Sequence, residues 1–282
     1  MSHKLSHLHL SSLEKNPSPS TPSSEQQAYW KHKKRNRILL TLSRISFFLF
    51  FLCIWEWAAL SHYIDTFFFS SPSMITAIFI KGMADQTLIY HIGITMTETI
   101  ISFIIILFIS IILSGFFWFY QKVGSFFEPF LIVLNSLPKS ALAPLIIVWF
   151  GTGMKTIILC GISVAIFGAI LSIYHGFQQT DPEKEKLILT LGGTRKTIFT
   201  KVVLPGSIPL LLSVAKVNIG LCLVGVVIGE FLAGRKGLGY LIIYGSQVFQ
   251  LHLVIMSIII LCIIAMLLYQ IIKLLEKHVT TS

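Results

Sequence analysis

Six stretches of apolar sequence follow one another along the chain, at residues 38–60, 99–119, 129–150, 156–177, 209–233 and 251–272. Each reaches the length of about 20 residues that an α-helix needs to cross the hydrocarbon core of a bilayer. In lipid every backbone N–H and C=O must be paired within the protein, so only helices and closed barrels span it. The stretches are continuously apolar rather than alternating, and this selects the helix. Hydrophobic residues make up 54% of the 282 positions and charged residues 12%, against about 25% charged in a soluble domain. The sequence therefore predicts an all-α membrane protein with six transmembrane helices, arranged as one membrane domain over 38–275.

The net charge of +10 would suit a nucleic-acid partner if the bases formed one patch. They do not. With the N-terminus inside, the inner segments hold 16 Lys and Arg and the outer ones hold four: Lys81, Lys155, Arg235 and Lys236. That asymmetry is the positive-inside rule. It predicts a multi-pass protein of the plasma membrane with both termini cytoplasmic, and with the lipid bilayer rather than nucleic acid as its surroundings. Trp55, Trp57 and Tyr63 near the outer end of the first stretch fit an interfacial belt. Residues 1–37 are polar and rich in Ser and Pro, and they end in the basic cluster Lys31, Lys33, Lys34, Arg35 and Arg37. Such a composition buries too little surface to fold, so a disordered cytoplasmic tail is expected. Cys53, Cys160, Cys222 and Cys262 stand far apart within apolar stretches and form no metal or redox motif.

Two further patterns concern packing and docking. Gly161, Ala165 and Ala169 share one face of the fourth stretch, and Gly225, Gly229 and Ala233 share one face of the fifth; such faces let helix backbones approach closely. The loop 178–208 reads as two short helices. Asp181-Pro182-Glu183 is a helix start, Leu187, Ile188 and Leu191 make an apolar stripe, and Gly192-Gly193 ends the helix. Thr194 caps a second helix with Ile198, Phe199, Val202 and Val203 on one side, closed by Leu204-Pro205. The pair either lies on the membrane surface and inner helix ends or docks a cytoplasmic partner.

The run Thr190-Leu191-Gly192-Gly193-Thr194-Arg195, followed by Lys201-Val202-Val203-Leu204-Pro205, resembles the glycine-centred coupling loop of ATP-binding-cassette (ABC) importer permeases. Lys186-Leu187-Ile188 stands where that loop carries Glu-Ala-Ala. Leu137-Pro138-Lys139-Ser140-Ala141-Leu142-Ala143-Pro144 running into Val148-Trp149-Phe150-Gly151-Thr152-Gly153 resembles the third span of nitrate-, sulfonate- and taurine-type permeases. So do Gly225-Val226-Val227-Ile228-Gly229-Glu230-Phe231 with Gly237-Leu238-Gly239-Tyr240, and Ser71-Pro72-Ser73. Many members carry Arg at the position of Glu98. The similarity covers roughly residues 40–275. It implies the type I ABC importer permease fold, with a coupling-helix loop between helices 4 and 5, and the ATPase-coupling residues Thr190, Leu191, Gly192, Gly193, Thr194 and Arg195. It also implies a homodimer of this chain, a pair of cytoplasmic ATP-binding subunits that hold the ATP and Mg, and an extracytoplasmic substrate-binding protein. The solute would be a sulfonate, taurine, nitrate or similar small compound, or alternatively a pyrimidine or vitamin precursor.

The chain carries no chemistry of its own that the sequence reveals. Gly193-Thr194-Arg195-Lys196-Thr197 and Gly153-Met154-Lys155-Thr156 lack the spacing of a phosphate loop, so ATP hydrolysis is expected of a separate subunit and no cofactor or metal of this chain. Ionisable residues in or beside the spans, Glu56, Glu98, Lys139, Lys216 and Glu230, are candidates for a solute path. Of these and their polar neighbours, Lys139, Asn218 and Glu230 are the expected contributors to the path or its gate. An ion-coupled secondary transporter is the other reading, but it calls for a relay of membrane carboxylates and often an inverted repeat. No Asp lies in any of the six stretches.

Overall fold

Apolar length and proline position together set where the helices begin and break. The computed structural model describes residues 24–280, all of its regular elements helical. They divide into two units, residues 1–57 and 58–282. The first is essentially α1 (Ser24–Leu60), whose portion Ile38–Leu60 has the length and hydropathy of a span. Of the expected disordered tail, residues 1–23 lie outside the described residues. From Ser24 the chain is helical and runs unbroken into the span. The last proline of the tail is Pro22, and the strong helix formers Glu25, Gln26, Gln27 and Ala28 follow it, so nothing interrupts the helix.

The second unit starts with α2 (Thr66–Phe69), capped by Asp65, and α3 (Pro72–Ala84). The Ser71 side chain accepts from the Met74 N–H at 3.3 Å and Pro72 takes the first helical position. Both are too short to cross a bilayer. α4 (Thr87–Phe119) has 33 residues, about 50 Å at the usual helical rise, against a hydrocarbon core of about 30 Å. It thus begins well before the apolar stretch at 99 and is longer than one perpendicular crossing needs.

The third apolar stretch is not one rod. α5 (Gln121–Ser136) and α6 (Lys139–Phe150) meet at a 96° bend. Pro138 causes it. Helical geometry is disfavoured for a residue before proline, and Leu137 is extended at φ −63°, ψ 143°. Five described helices are long and apolar enough to span a membrane, and the bent pair makes a sixth if it is one broken span. After the tight turn at Gly151 and Gly153, both at positive φ, α7 (Met154–Gln178) leads to the loop. This comprises α8 (Pro182–Thr190), α9 (Arg195–Ile198), a π turn over Phe199–Val203 and α10 (Leu204–Gly206). α11 (Ile208–Ala233), α12 (Leu238–Gln247) and α13 (Leu251–Thr280) complete the fold.

α4, α7 and α11 form the centre. The two small-residue faces read from the sequence meet each other: a Cβ added at Gly225 would lie 2.8 Å from the Gly161 Cα and 2.9 Å from the Cys160 carbonyl oxygen. In lipid there is no hydrophobic drive to bring helices together, so close van der Waals contact and interhelical hydrogen bonds do that work. Ser114 of α4 donates to the Ile170 carbonyl of α7 at 2.9 Å, and Ser102 reaches the Ile158 carbonyl at 3.2 Å.

Candidate functional site

The loop between α7 and α11 is ordered by local chemistry at each joint. Asp181 accepts from the Glu183 N–H at 2.9 Å and starts α8. Gly192 holds φ at +79°, a conformation glycine adopts without steric cost, and the Gly193 N–H closes back on the Ile188 carbonyl at 2.8 Å. Thr194 and Thr197 cap each other reciprocally and start α9. The turn then widens to a π turn just ahead of Pro205, which has no N–H to donate.

The two halves of the loop face different ways. Ile198 and Val203 are buried, and Phe199 packs among Trp118, Phe119 and Phe177 with ring centroids 5.1–5.5 Å apart. Arg195 lies 5.6 Å over the Trp118 ring and donates to the Phe119 carbonyl at 3.1 Å. The second half is therefore clamped to the end of α4. α8 keeps only Ile188 against the core, leaving Leu187 at 59%, Leu189 at 53% and Leu191 at 74% exposure. The sequence left open whether the helix pair rests on the bundle or docks a partner; the bundle takes α9 and leaves the Leu side of α8 uncovered. Thr190, Gly192 and Thr194 sit on the exposed bend, Gly193 is half-buried, and Arg195 serves the clamp.

At the opposite end of α4 and α11 lies a buried polar cluster. Glu230 and Glu98 are 1% and 2% exposed. Glu230 Oε1 accepts from the Thr95 hydroxyl at 2.6 Å, and Oε2 accepts from the Gly239 N–H at 2.5 Å. The Thr95 Oγ1 in turn accepts from the Leu238 N–H at 2.8 Å, and the Gly237 N–H donates to His91 Nδ1 at 3.0 Å. The imidazole stacks on Tyr240. One carboxyl thus ties the turn 234–239 to two helices. The glycines are required here because a Cβ at Gly237 or Gly239 would run into Glu230. The Glu98 carboxyl lies against that of Glu230, and its Oε2 is buried with no donor.

The three expected path residues are not brought together. Lys139 is half-buried at the broken span and donates to Asn135 at 3.3 Å. Asn218 is buried within α11, donates to its own Val214 carbonyl at 2.8 Å and leaves Oδ1 without a partner. Glu230 belongs to the far-end cluster. Lys216 pairs with Glu276 of α13 at 2.8 Å. His91 and Thr95 escaped the sequence reading, and Glu98 was named there only as one of five ionisable candidates for a solute path. The available signal was the spacing of His91, Thr95, Glu98 and Ser102 at i, i+4, i+7 and i+11, a polar line along one helix face.

Comparison with known proteins bears on both ends. The family described as "Binding-protein-dependent transport system inner membrane component" matches residues 106–281. The formylaminopyrimidine transport permease protein ThiX of Halalkalibacterium halodurans is 26% identical over 194 residues, covering 69% of this chain and 77% of its own. The taurine transport system permease protein TauC of Escherichia coli is 23% identical over 257 residues, 89% of this chain and 92% of its own. Among solved structures, a chain of the MetNI methionine ABC transporter in an inward-facing conformation superposes with a TM-score of 0.61 at 16% identity, over 70% of this chain and 97% of that one. A chain of a bacterial alginate ABC transporter in complex with its alginate-loaded periplasmic protein gives 0.54 at 16% identity, over 90% and 98%. At these identities the structures speak to the fold alone, and the fold is that of a type I ABC importer permease.

Proposed function

The chain belongs to the family of binding-protein-dependent transport system inner membrane components, as the permease subunit of an ABC importer, and from that premise we propose how its parts serve transport. Two copies of the chain form the translocation path. Two cytoplasmic ATP-binding subunits, which hold the ATP and Mg and carry out hydrolysis, each receive α8 and the bend Thr190–Thr194 in a groove. An extracytoplasmic binding protein delivers the solute. Both termini and the 178–208 loop face the cytoplasm, on the side favoured by the basic residues.

The observation that carries this reading is the division of labour in the loop. α9 is fastened to the end of α4 through Phe199 and Arg195, whereas α8 presents Leu187, Leu189 and Leu191 outward. Exposed leucines on and just after a short helix whose neighbour α9 is fastened to the bundle suit a part that passes a push from an ATPase to the spans. Lys139 at the broken span contributes positive charge to the path. Glu230 holds the far-end turn as part of the gate, and Asn218 lends an unused acceptor on α11. The solute is small: a sulfonate such as taurine, nitrate, or a nitrogen heterocycle of the pyrimidine kind.

The test is a pull-down of the tagged chain from gently solubilised membranes, with a second, differently tagged copy co-expressed. Wild type is expected to bring down a stoichiometric ATPase subunit and the second tag. Gly192→Asp, which forces a side chain onto a left-handed backbone, and Leu191→Ser, which leaves the backbone alone, are both expected to lose the ATPase and keep the second tag. Wild type recovered without any ATPase in several mild detergents would sink the coupling assignment.

A further inference from the structure

Two carboxyl groups meet in the far-end cluster, at the end of two spans where a charge without a partner is expensive. Glu98 and Glu230 are 2% and 1% exposed. They hydrogen-bond each other, and neither makes an ion pair among the described residues. The bases of the adjoining turn point elsewhere: Arg235 and Lys236 are exposed, and the Lys236 ammonium sits 5.1 Å over the Tyr90 ring. His91 accepts the Gly237 N–H at Nδ1, so that nitrogen has no proton to give. An ionised carboxylate can only accept, whereas a protonated one has an O–H to donate. A hydrogen bond from one carboxyl to another therefore needs a proton on one of them.

The donors around the pair decide which. Glu230 Oε2 takes the Gly239 N–H, and Oε1 takes the Thr95 hydroxyl. The direction of that hydroxyl is set, because the Thr95 Oγ1 itself receives the Leu238 N–H and keeps its own proton for Glu230. Two donors on two oxygens are the surroundings of a carboxylate. Glu98 has the opposite surroundings, with Oε2 buried and reached by no donor. Such burial costs far less for a neutral acid than for an anion.

We infer that Glu98 is a neutral carboxylic acid, a positioning residue whose O–H donates to the Glu230 carboxylate and completes the clasp on the turn 234–239. One proton serves both groups, and the pair carries a single negative charge. α4 thus reaches Glu230 through two side chains, Thr95 and Glu98, spaced to share one helix face. The inference rests on the permease reading only in taking this turn as part of the gate; the proton and the clasp belong to the chain whatever it carries.

Infrared spectroscopy sees the proton directly. The full chain, with whatever ATPase accompanies it, is measured at neutral pH in an ester-free detergent. Wild type minus Glu98→Gln should show the C=O stretch of a protonated carboxyl, shifting down after exchange into D2O. The clasp is read from a nitroxide at Arg235→Cys, an exposed position of the turn, in a background with the exposed Cys53 and Cys262 changed to Ser. Glu98→Gln keeps an N–H donor for Glu230 and should leave the label as immobile as in otherwise unchanged protein. Glu98→Leu removes the donor, and Glu98→Asp withdraws it by one methylene. Each should raise the mobile fraction roughly tenfold, the worth of one charge-assisted hydrogen bond, and Glu98→Asp keeps the test informative if Glu98→Leu folds poorly. No acid band in wild type, an acid band that survives Glu98→Gln, or a label freed as much by Gln as by Asp would each overturn the assignment. ATPase recovery from the same preparations reads the permease assignment separately: an ATPase present with no acid band removes the proton and leaves the permease intact.

Discussion

At Gly237 the backbone sits at φ +102°, and a side chain there would collide with the Glu230 carboxyl. Gly239 is confined by the same carboxyl and by the Val227 carbonyl, 3.0 Å from where a Cβ would stand. These two glycines explain why the sequence carries Gly-Leu-Gly at this turn: Glu230 can accept the Gly239 N–H only if nothing intervenes. Gly237→Ala should therefore strain the backbone and displace the carboxylate, costing about 1–3 kcal/mol. A thermal melt of the detergent-solubilised protein followed by size-exclusion fluorescence should show a lowered midpoint, and an unchanged midpoint would count against the turn being held this way. Glu230 itself was legible as an ionisable residue bordering a span. Its partners Thr95 and the Gly239 N–H were not: Thr95 comes from α4, more than a hundred residues away, and Gly239 lies past the end of α11, where the helical period no longer says which way the chain turns.

Helix pairing depends on a few positions where size decides the outcome. Two glycines of α11 supply a matched comparison. Gly225 faces Gly161, and a Cβ would approach backbone atoms at 2.8–2.9 Å; Gly220 meets nothing within 4 Å. Gly225→Ala should push α11 off α7 and destabilise by about 1–3 kcal/mol. Gly220→Ala, the same change in the same helix, should be neutral or gain up to about 1 kcal/mol from helix propensity. Melting midpoints of the two variants measured side by side test this, and equal effects would contradict the packing. The bend between α5 and α6 was written in Pro138, yet apolarity alone joined 129–150 into one span. Hydropathy records length and is blind to direction, so a 96° turn leaves no trace in it. The short helices α3 and α12 were missed for a similar reason: at 13 and 10 residues they fall below the length that marks a span.

For the whole molecule, the two polar constructions stand at opposite ends of the bundle, as the proposed division between an ATPase side and a solute side requires. The loop lies at one end of α4 and α11, the carboxyl cluster at the other. The charge asymmetry supports the proposed sidedness, and labelling tests it. Cys53 and Cys262 are exposed whereas Cys160 and Cys222 are buried, so a background with Cys53→Ser and Cys262→Ser is quiet to a membrane-impermeant maleimide. In it Lys186→Cys should label only after the cells are permeabilised, and Lys81→Cys should label on intact cells; the reverse pattern would invert the orientation. Membrane class, the number of apolar stretches, the helix starts at Asp181 and Thr194 and the small faces of α7 and α11 were all determined by the sequence, whereas Leu204-Pro205, expected to close the second helix, lies in α10. Each rests on length, periodicity or local backbone chemistry, which a few neighbouring residues settle. Only the tertiary structure decided that α9 is clamped while α8 stays free, that Glu98 is buried against Glu230, and that Lys139, Asn218 and Glu230 lie apart. Those outcomes depend on which distant helix faces meet, and that is fixed by packing among α4, α7 and α11 rather than by any single stretch of chain.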